Sequence, residues 1–191
     1  MKKSIIFILL VIAGFLALSF ISLKKETKTV KPDSTVVTWK GYKVTGSHTG
    51  TVDLTSGLLE FEGETLSGGE FTLDMKSISC TDLEGEGKSG LEGHLKSDDF
   101  FGVESHPTAS LKLTSVKSSG KNSYEATGDL TIKGKTNPIT FDLSVYGSKA
   151  SATLKIDRTE YDVQYGSASF FDGLKDKVIY DEFDIVVDLE F

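Results

Sequence analysis

At the end of the chain apolar side chains take every second place, Phe183, Ile185, Val187, Leu189 and Phe191, while Glu182, Asp184, Asp188 and Glu190 fill the opposite face beside Val186. Successive side chains of an extended backbone point to opposite sides, so this alternation describes a strand with one apolar face and one polar face. The same period recurs in Tyr124, Ala126, Gly128, Leu130 and Ile132, in Ile139, Phe141, Leu143 and Val145, in Ala150, Ala152, Leu154 and Ile156, and in Phe71, Leu73 and Met75. Weaker runs through Val37, Trp39 and Tyr42, through Leu58 to Phe61, and through Leu111, Leu113 and Val116 bring the total to about eight strands. Short turns such as Ser67-Gly68-Gly69, Lys133-Gly134-Lys135 and Tyr146-Gly147-Ser148 join neighbours, which predicts an antiparallel meander. Such a sheet, burying one face, closes into a barrel or splits into a sandwich; the barrel is the expected form of this all-β chain.

One segment breaks the pattern. In SGLEGHLKSDDFF, from Ser89 to Phe101, Leu91 and Leu95 stand four apart, which predicts a short helix covering one barrel mouth, inserted between strands ending near Ser79 and starting near Thr108. The preceding LEGEGKSG, Leu83 to Gly90, reads as a flexible turn. A second irregular stretch, Tyr165 to Lys177, carries Phe170 and Phe171 as the first carries Phe100 and Phe101. Two aromatic flaps fit a lid over a cavity, and they fit equally well rings that plug the barrel ends.

The N-terminal residues stand apart. Lys2 and Lys3 precede an apolar run from Ile5 to Leu23, the pattern of an export signal; Ala17 and Ser19 would place cleavage before Phe20, and the length also suits an uncleaved membrane anchor. Residues 24–34, KKETKTVKPDS, read as a linker, and the folded domain is expected over 35–191. Without Lys2 and Lys3 the chain keeps 19 basic against 28 acidic side chains, a net charge of −9. That balance disfavours nucleic acid and anionic membrane surfaces. Cys80 is the single cysteine, so no intramolecular disulfide forms and packing alone must hold the fold.

Searching for chemistry finds little. His48, His94 and His106 lack zinc-site spacing, no Cys-x-x-Cys or Gly-x-Ser-x-Gly occurs, and neither a metal nor a cofactor is expected. Asp98 and Asp99 form a carboxylate pair whose simplest role is solvation or capping, and the i, i+4 spacing of His94 and Asp98 points to a local ion pair.

The blocks GGEFTLDMKSIS (68–79), LEGHLKSDDFFGVESHPTASLKLTSV (91–116), GDLTIKGKTNPITFDL (128–143) and LKIDRTEYDVQYG (154–166) occur in an order and spacing that closely resemble the YceI family, over essentially the whole of Trp39 to Phe191. The resemblance implies an extended, lipocalin-like antiparallel barrel, exported to the periplasm, with a long amphiphile such as a polyisoprenoid or fatty-acid-like chain inside. It is carried most closely by His94, Leu95, Asp98, Asp99, Phe100, Phe101 and Pro107, and by Asp157 and Arg158; at His106 the chain departs from the aromatic residue the family often has before the proline. It implies a ligand-binding set of Trp39, Phe71, Leu73, Leu95, Phe100, Phe101, Phe141, Leu143, Leu154 and Arg158, to which the lid reading of the second aromatic flap adds Phe170 and Phe171. Ordinary packing accounts for any one of the apolar members equally well, and Arg158 either pairs with a carboxylate such as Asp181 or meets a polar head group.

A lipid carrier needs an apolar interior and no catalytic constellation. Two other classes remain open: an outer-membrane barrel, since the chain ends in Phe191 with apolar residues alternating upstream, and an enzyme using His94 with Asp98 or Asp99. The ligand's identity and the oligomeric state are open.

Overall fold

A computed structural model describes residues 24–191; the expected export signal, within residues 1–23, lies outside the described residues. Eight antiparallel strands form a closed barrel: β2 (Val36–Lys43), β3 (Gly46–Glu62), β4 (Thr65–Cys80), β5 (Thr108–Gly120), β6 (Ser123–Ile132), β7 (Lys135–Tyr146), β8 (Lys149–Asp157) and β9 (Ile179–Glu190). Each pairs with its neighbour along the chain, β9 returns to β2, and the pairing of β3 with β4 closes the ring. All eight expected strands are present, and the barrel closes entirely within residues 36–190.

Alternation explains the closure. In β6, Tyr124, Ala126, Gly128, Leu130 and Ile132 are buried, while Glu125 and Asp129 between them face water. Facing positions match large to small, as in Ala126 opposite Phe141 and Ala152 between Leu143 and Val187, so the interior fills without forcing the strands apart. The exterior is polar: Thr127 hydrogen-bonds Thr140 at 2.9 Å, Thr131 bonds Thr136 at 2.8 Å, and Lys155 lies 3.3 Å from Glu182. This is the inverse of an outer-membrane barrel, which turns its apolar face outward, and the outer-membrane reading is therefore set aside.

The long strands β3 and β4 curl round the barrel through register shifts at Thr51/Asp53, Leu54/Ser56 and Glu60/Phe61. Where they cross β2, Gly50 lies between Trp39 and Cys80. A Cβ at Gly50 would sit 1.8 Å from the Ser79 carbonyl and 2.5 Å from the Trp39 ring. Gly50→Ala is expected to lower unfolding stability by about 2 to 3 kcal/mol through overpacking; an unchanged denaturation midpoint would mean the strands part more easily than their register implies.

Two sequence expectations need correction. Residues 24–34 are not a linker: β1 (Lys25–Thr29) pairs with Leu58 to Glu62 of β3, Val30 is 1% exposed, and a single 3-10 turn at Pro32–Ser34 leads into β2. The strand escaped notice because its side chains are mostly exposed lysine and threonine, and backbone pairing to a strand edge leaves no hydrophobic period. The covering helix, α1, spans Gly85–Lys96 instead of starting at Ser89, so most of LEGEGKSG is helical. Its glycines disfavour helix locally, and tertiary contacts compensate: Glu92 accepts from the Ser79 hydroxyl at 3.0 Å and the Cys80 amide at 2.8 Å, and Leu95 is buried.

The two ends of the barrel differ. At the end near Lys24, whose carbonyl accepts from the Gly63 amide, Val30, Leu59, Phe61 and Leu66 are buried and pack the interior shut. At the opposite end lie α1, the turns carrying Phe100 and Phe101, and residues 165–178, tied to β2 by the Val44 amide donating to the Val178 carbonyl.

Candidate functional site: an apolar cavity in the barrel

Phe183, Ile185 and Val187 point inward yet are only partly buried, because they border empty space. That space is a cavity of about 190 Å³, walled by inward-facing residues of all eight barrel strands and by Leu95 of α1. Trp39, Phe71, Leu73, Leu95, Phe100, Phe101, Phe141, Leu143, Leu154 and Arg158 all line it. So do residues that sequence reasoning did not single out, among them Met75, Ile78, Leu130, Ala152 and Tyr180; several lie on the strand periods already recognised, and only the closed ring shows which of the inward positions meet empty space.

Phe170 and Phe171 do not belong to this set. They are 50% and 49% exposed and border no part of the cavity. Their amides both donate to the Ser167 carbonyl, at 3.3 and 3.0 Å, and the tight turn so formed carries both rings to the surface. Phe100, by contrast, is 6% exposed, packed edge-on to Phe101 with centroids 5.0 Å apart.

Among the described residues Arg158 is the one charged residue on the lining, and it begins a 3-10 turn (Arg158–Tyr161) just past β8. Its side chain is 2% exposed. Nε donates to the Tyr180 carbonyl at 3.1 Å, one terminal nitrogen to the Val163 carbonyl at 2.5 Å, and the other to the Ile179 carbonyl at 3.0 Å and to Asp181 at 3.5 Å. Of the two roles the sequence offered Arg158, pairing with Asp181 is the one present in the structure. Burial pushes the guanidinium pKa down, opposed by Asp181 and Asp157. Burial also pushes the Asp181 carboxyl up, but hydrogen bonds from Ser167 and Ser169 and the charge of Arg158 outweigh it and hold the pKa below the usual range. Four of the five guanidinium N–H groups are therefore occupied by protein, which leaves a wall that is almost wholly apolar.

No acid/base pair forms at His94. Asp98 and Asp99 are exposed, and among the described residues neither makes a hydrogen bond or ion pair with it, because α1 ends at Lys96 and breaks the i, i+4 geometry. His94 instead packs edge-on against Tyr165 at 4.4 Å and Phe100 at 5.3 Å, with Nε2 buried and unpartnered. Burial lowers its pKa below the ordinary 6.5, the Asp99 charge opposing and Arg158 assisting. The unfolded chain therefore binds this proton at a higher pH than the folded one, and stability falls as pH drops below about 6.5 towards the folded pKa. His94→Phe is expected to flatten that loss; an identical pH profile for variant and parent would show that His94 protonates without penalty. Cys80 is 0% exposed, its thiol donating to Asp82 at 3.0 Å, and burial with that bond pushes its pKa up, the setting of a packed residue and not of a nucleophile.

A closed eight-stranded antiparallel barrel around an apolar cavity, its mouth covered by one helix, defines the class of an internal binding barrel. The YceI-like domain model matches residues 28–191, and the chain belongs to the YceI family. It is 36% identical over 78 residues to a UPF0312 protein of Pseudomonas putida (strain F1), covering 41% of this chain and 38% of that one. It is 31% identical over 121 residues to a UPF0312 protein of Pseudomonas aeruginosa (strain LESB58), covering 53% and 63%. The matches thus span less than two thirds of those relatives. Among solved structures, BcnA of Burkholderia cenocepacia superimposes with a TM-score of 0.66 at 21% identity, over 84% of this chain and 98% of that one. A polyisoprenoid-binding domain from Saccharophagus degradans implicated in plant cell wall breakdown superimposes with a TM-score of 0.59 at 11% identity, over 87% and 97%. At these identities the likeness is one of fold.

Proposed function

We propose that this protein is an exported carrier, working in the periplasm, that holds part of a long hydrophobic or amphiphilic chain, a polyisoprenoid or fatty-acid-like lipid, inside its barrel. The observation that carries the reading is the cavity wall: almost wholly apolar, with, among the described residues, a single charged side chain whose donors are mostly engaged by the protein. Such a wall rewards shape and apolar surface, at roughly 0.8 kcal/mol per buried methylene, and asks for no head-group chemistry. The Saccharophagus degradans neighbour, described as polyisoprenoid-binding, supports the ligand class. The basic-then-apolar N-terminal segment supports export, whether it is cleaved or kept as an anchor.

An apolar cavity of roughly 150 Å³ takes a benzene-sized guest. The 190 Å³ here therefore suits a short length of chain as the walls stand, and a longer chain projects from the mouth or parts the aromatic side chains. Mass spectrometry of organic extracts from detergent-free protein, against a mock purification, should find an isoprenoid or acyl species in stoichiometric amount. Trp39, the single tryptophan, lines the cavity, so its emission should shift on titration with farnesol. A clean extract together with unchanged emission would overturn the reading.

A further inference from the structure

Five aromatic side chains of the described residues stand out as strongly exposed, and four of them, Tyr165, Phe170, Phe171 and Tyr180, fall within one 16-residue stretch. The stretch is held as a unit. The Ile179 amide donates to the Gly166 carbonyl at 2.9 Å, and the Ser169 hydroxyl donates to Asp181 at 2.6 Å, which brings the residue before Phe170 beside the residue after Tyr180. Arg158 fastens the same stretch to the cavity through the Tyr180 and Ile179 carbonyls. Tyr180 is half exposed and also lines the cavity, so this flap stands at the cavity's mouth, at the barrel end opposite Lys24.

Two phenylalanines on a tight turn, exposed to water where nothing in the barrel needs them, are costly unless another phase receives them. Flanking tyrosines are the side chains that settle at a membrane–water interface, ring in the apolar layer and hydroxyl at the head groups. The charges nearby are Asp172, Asp176, Asp181 and Glu182 against Lys175 and Lys177, which favours an uncharged surface over an anionic one. We propose that residues 165–180 are a membrane-docking flap: Phe170 and Phe171 enter the interfacial layer of a zwitterionic bilayer, with Tyr165 and Tyr180 beside them, and seat the cavity mouth on the lipid. An apolar cargo then passes between bilayer and barrel without crossing water. The inference extends the carrier reading to the place of exchange, and its readout does not depend on the cargo.

The test is co-sedimentation of residues 24–191, which contain every strand of the closed barrel, with phosphatidylcholine vesicles. The parent should pellet with the vesicles, equally at low and high salt, since the attraction is not ionic. Phe170→Ser/Phe171→Ser should pellet at least about tenfold less, and Phe170→Trp/Phe171→Trp should retain or strengthen binding. Farnesol uptake from solution, read by displacement of N-phenyl-1-naphthylamine because the last variant adds two tryptophans, should be the same in all three, because neither phenylalanine borders the cavity. A parent that stays in the supernatant, or a serine variant that pellets like the parent, overturns docking; the first result would assign the aromatic patch to a protein partner. Failure of farnesol uptake in every form, with vesicle binding intact, overturns the carrier reading and leaves docking standing.

Discussion

Replacing Arg158 with leucine is expected to lower unfolding stability by about 3 to 5 kcal/mol, the usual consequence of removing one partner from a buried charge network. The midpoint in urea should fall while the slope stays constant. The loss is large because the three carbonyls of Val163, Ile179 and Tyr180 would be left without the donor that now satisfies them, alongside Asp181. Arg158→Lys should recover only part of it, since one ammonium does not reproduce a planar fork aimed at several acceptors. Asp181→Asn should cost much less: that contact is 3.5 Å long and its carboxylate is partly open to water. A loss below about 1 kcal/mol for the leucine variant would mean that the stretch from Val163 to Asp181 relaxes without the guanidinium, and the picture of it as a fastened unit would be wrong.

The second large effect is on binding. Ala152 sits on β8 between Leu143 and Val187, points inward and remains only partly buried because it borders the cavity. Ala152→Trp should fill that space with an indole. Affinity for farnesol, followed through displacement of the fluorescent probe N-phenyl-1-naphthylamine, should drop at least about tenfold, while stability changes by no more than about 1 to 3 kcal/mol. The probe is needed because the variant carries a second tryptophan. A variant that is folded and binds as well as the parent would place the ligand outside the barrel.

The eight barrel strands were legible one by one, because a residue on a strand with one buried face declares its direction through its own polarity. Ten of the residues that line the cavity belong to the set implied by the family resemblance; strand period marks the inward side of six of them, while Leu95, Phe100, Phe101 and Arg158 lie off the strands, where the resemblance alone pointed to them. The polarity rule failed at Lys25–Thr29, a strand that buries almost none of its side chains, and at Gly85–Gly90, a helical stretch in which every second or third residue is a helix-disfavouring glycine. The failure at Phe170 and Phe171 is of another kind. Their hydrophobicity matches that of Phe100 and Phe101, so composition treats the two pairs alike. Backbone turns geometry decides between them: the Ser167 carbonyl collects both flap amides and turns those rings outward, whereas the first pair lies under α1 against the barrel wall.

Local polarity and period thus determined that this chain makes an antiparallel sheet with an apolar inner face and a polar outer one, since each residue's preference for water acts on that residue alone. Ring closure, the side on which β1 docks, the empty space between facing strands and the outward turn of the flap depend on contacts between residues far apart in the chain. Only the tertiary structure decided those, because the energy that selects them exists only once the distant surfaces have met.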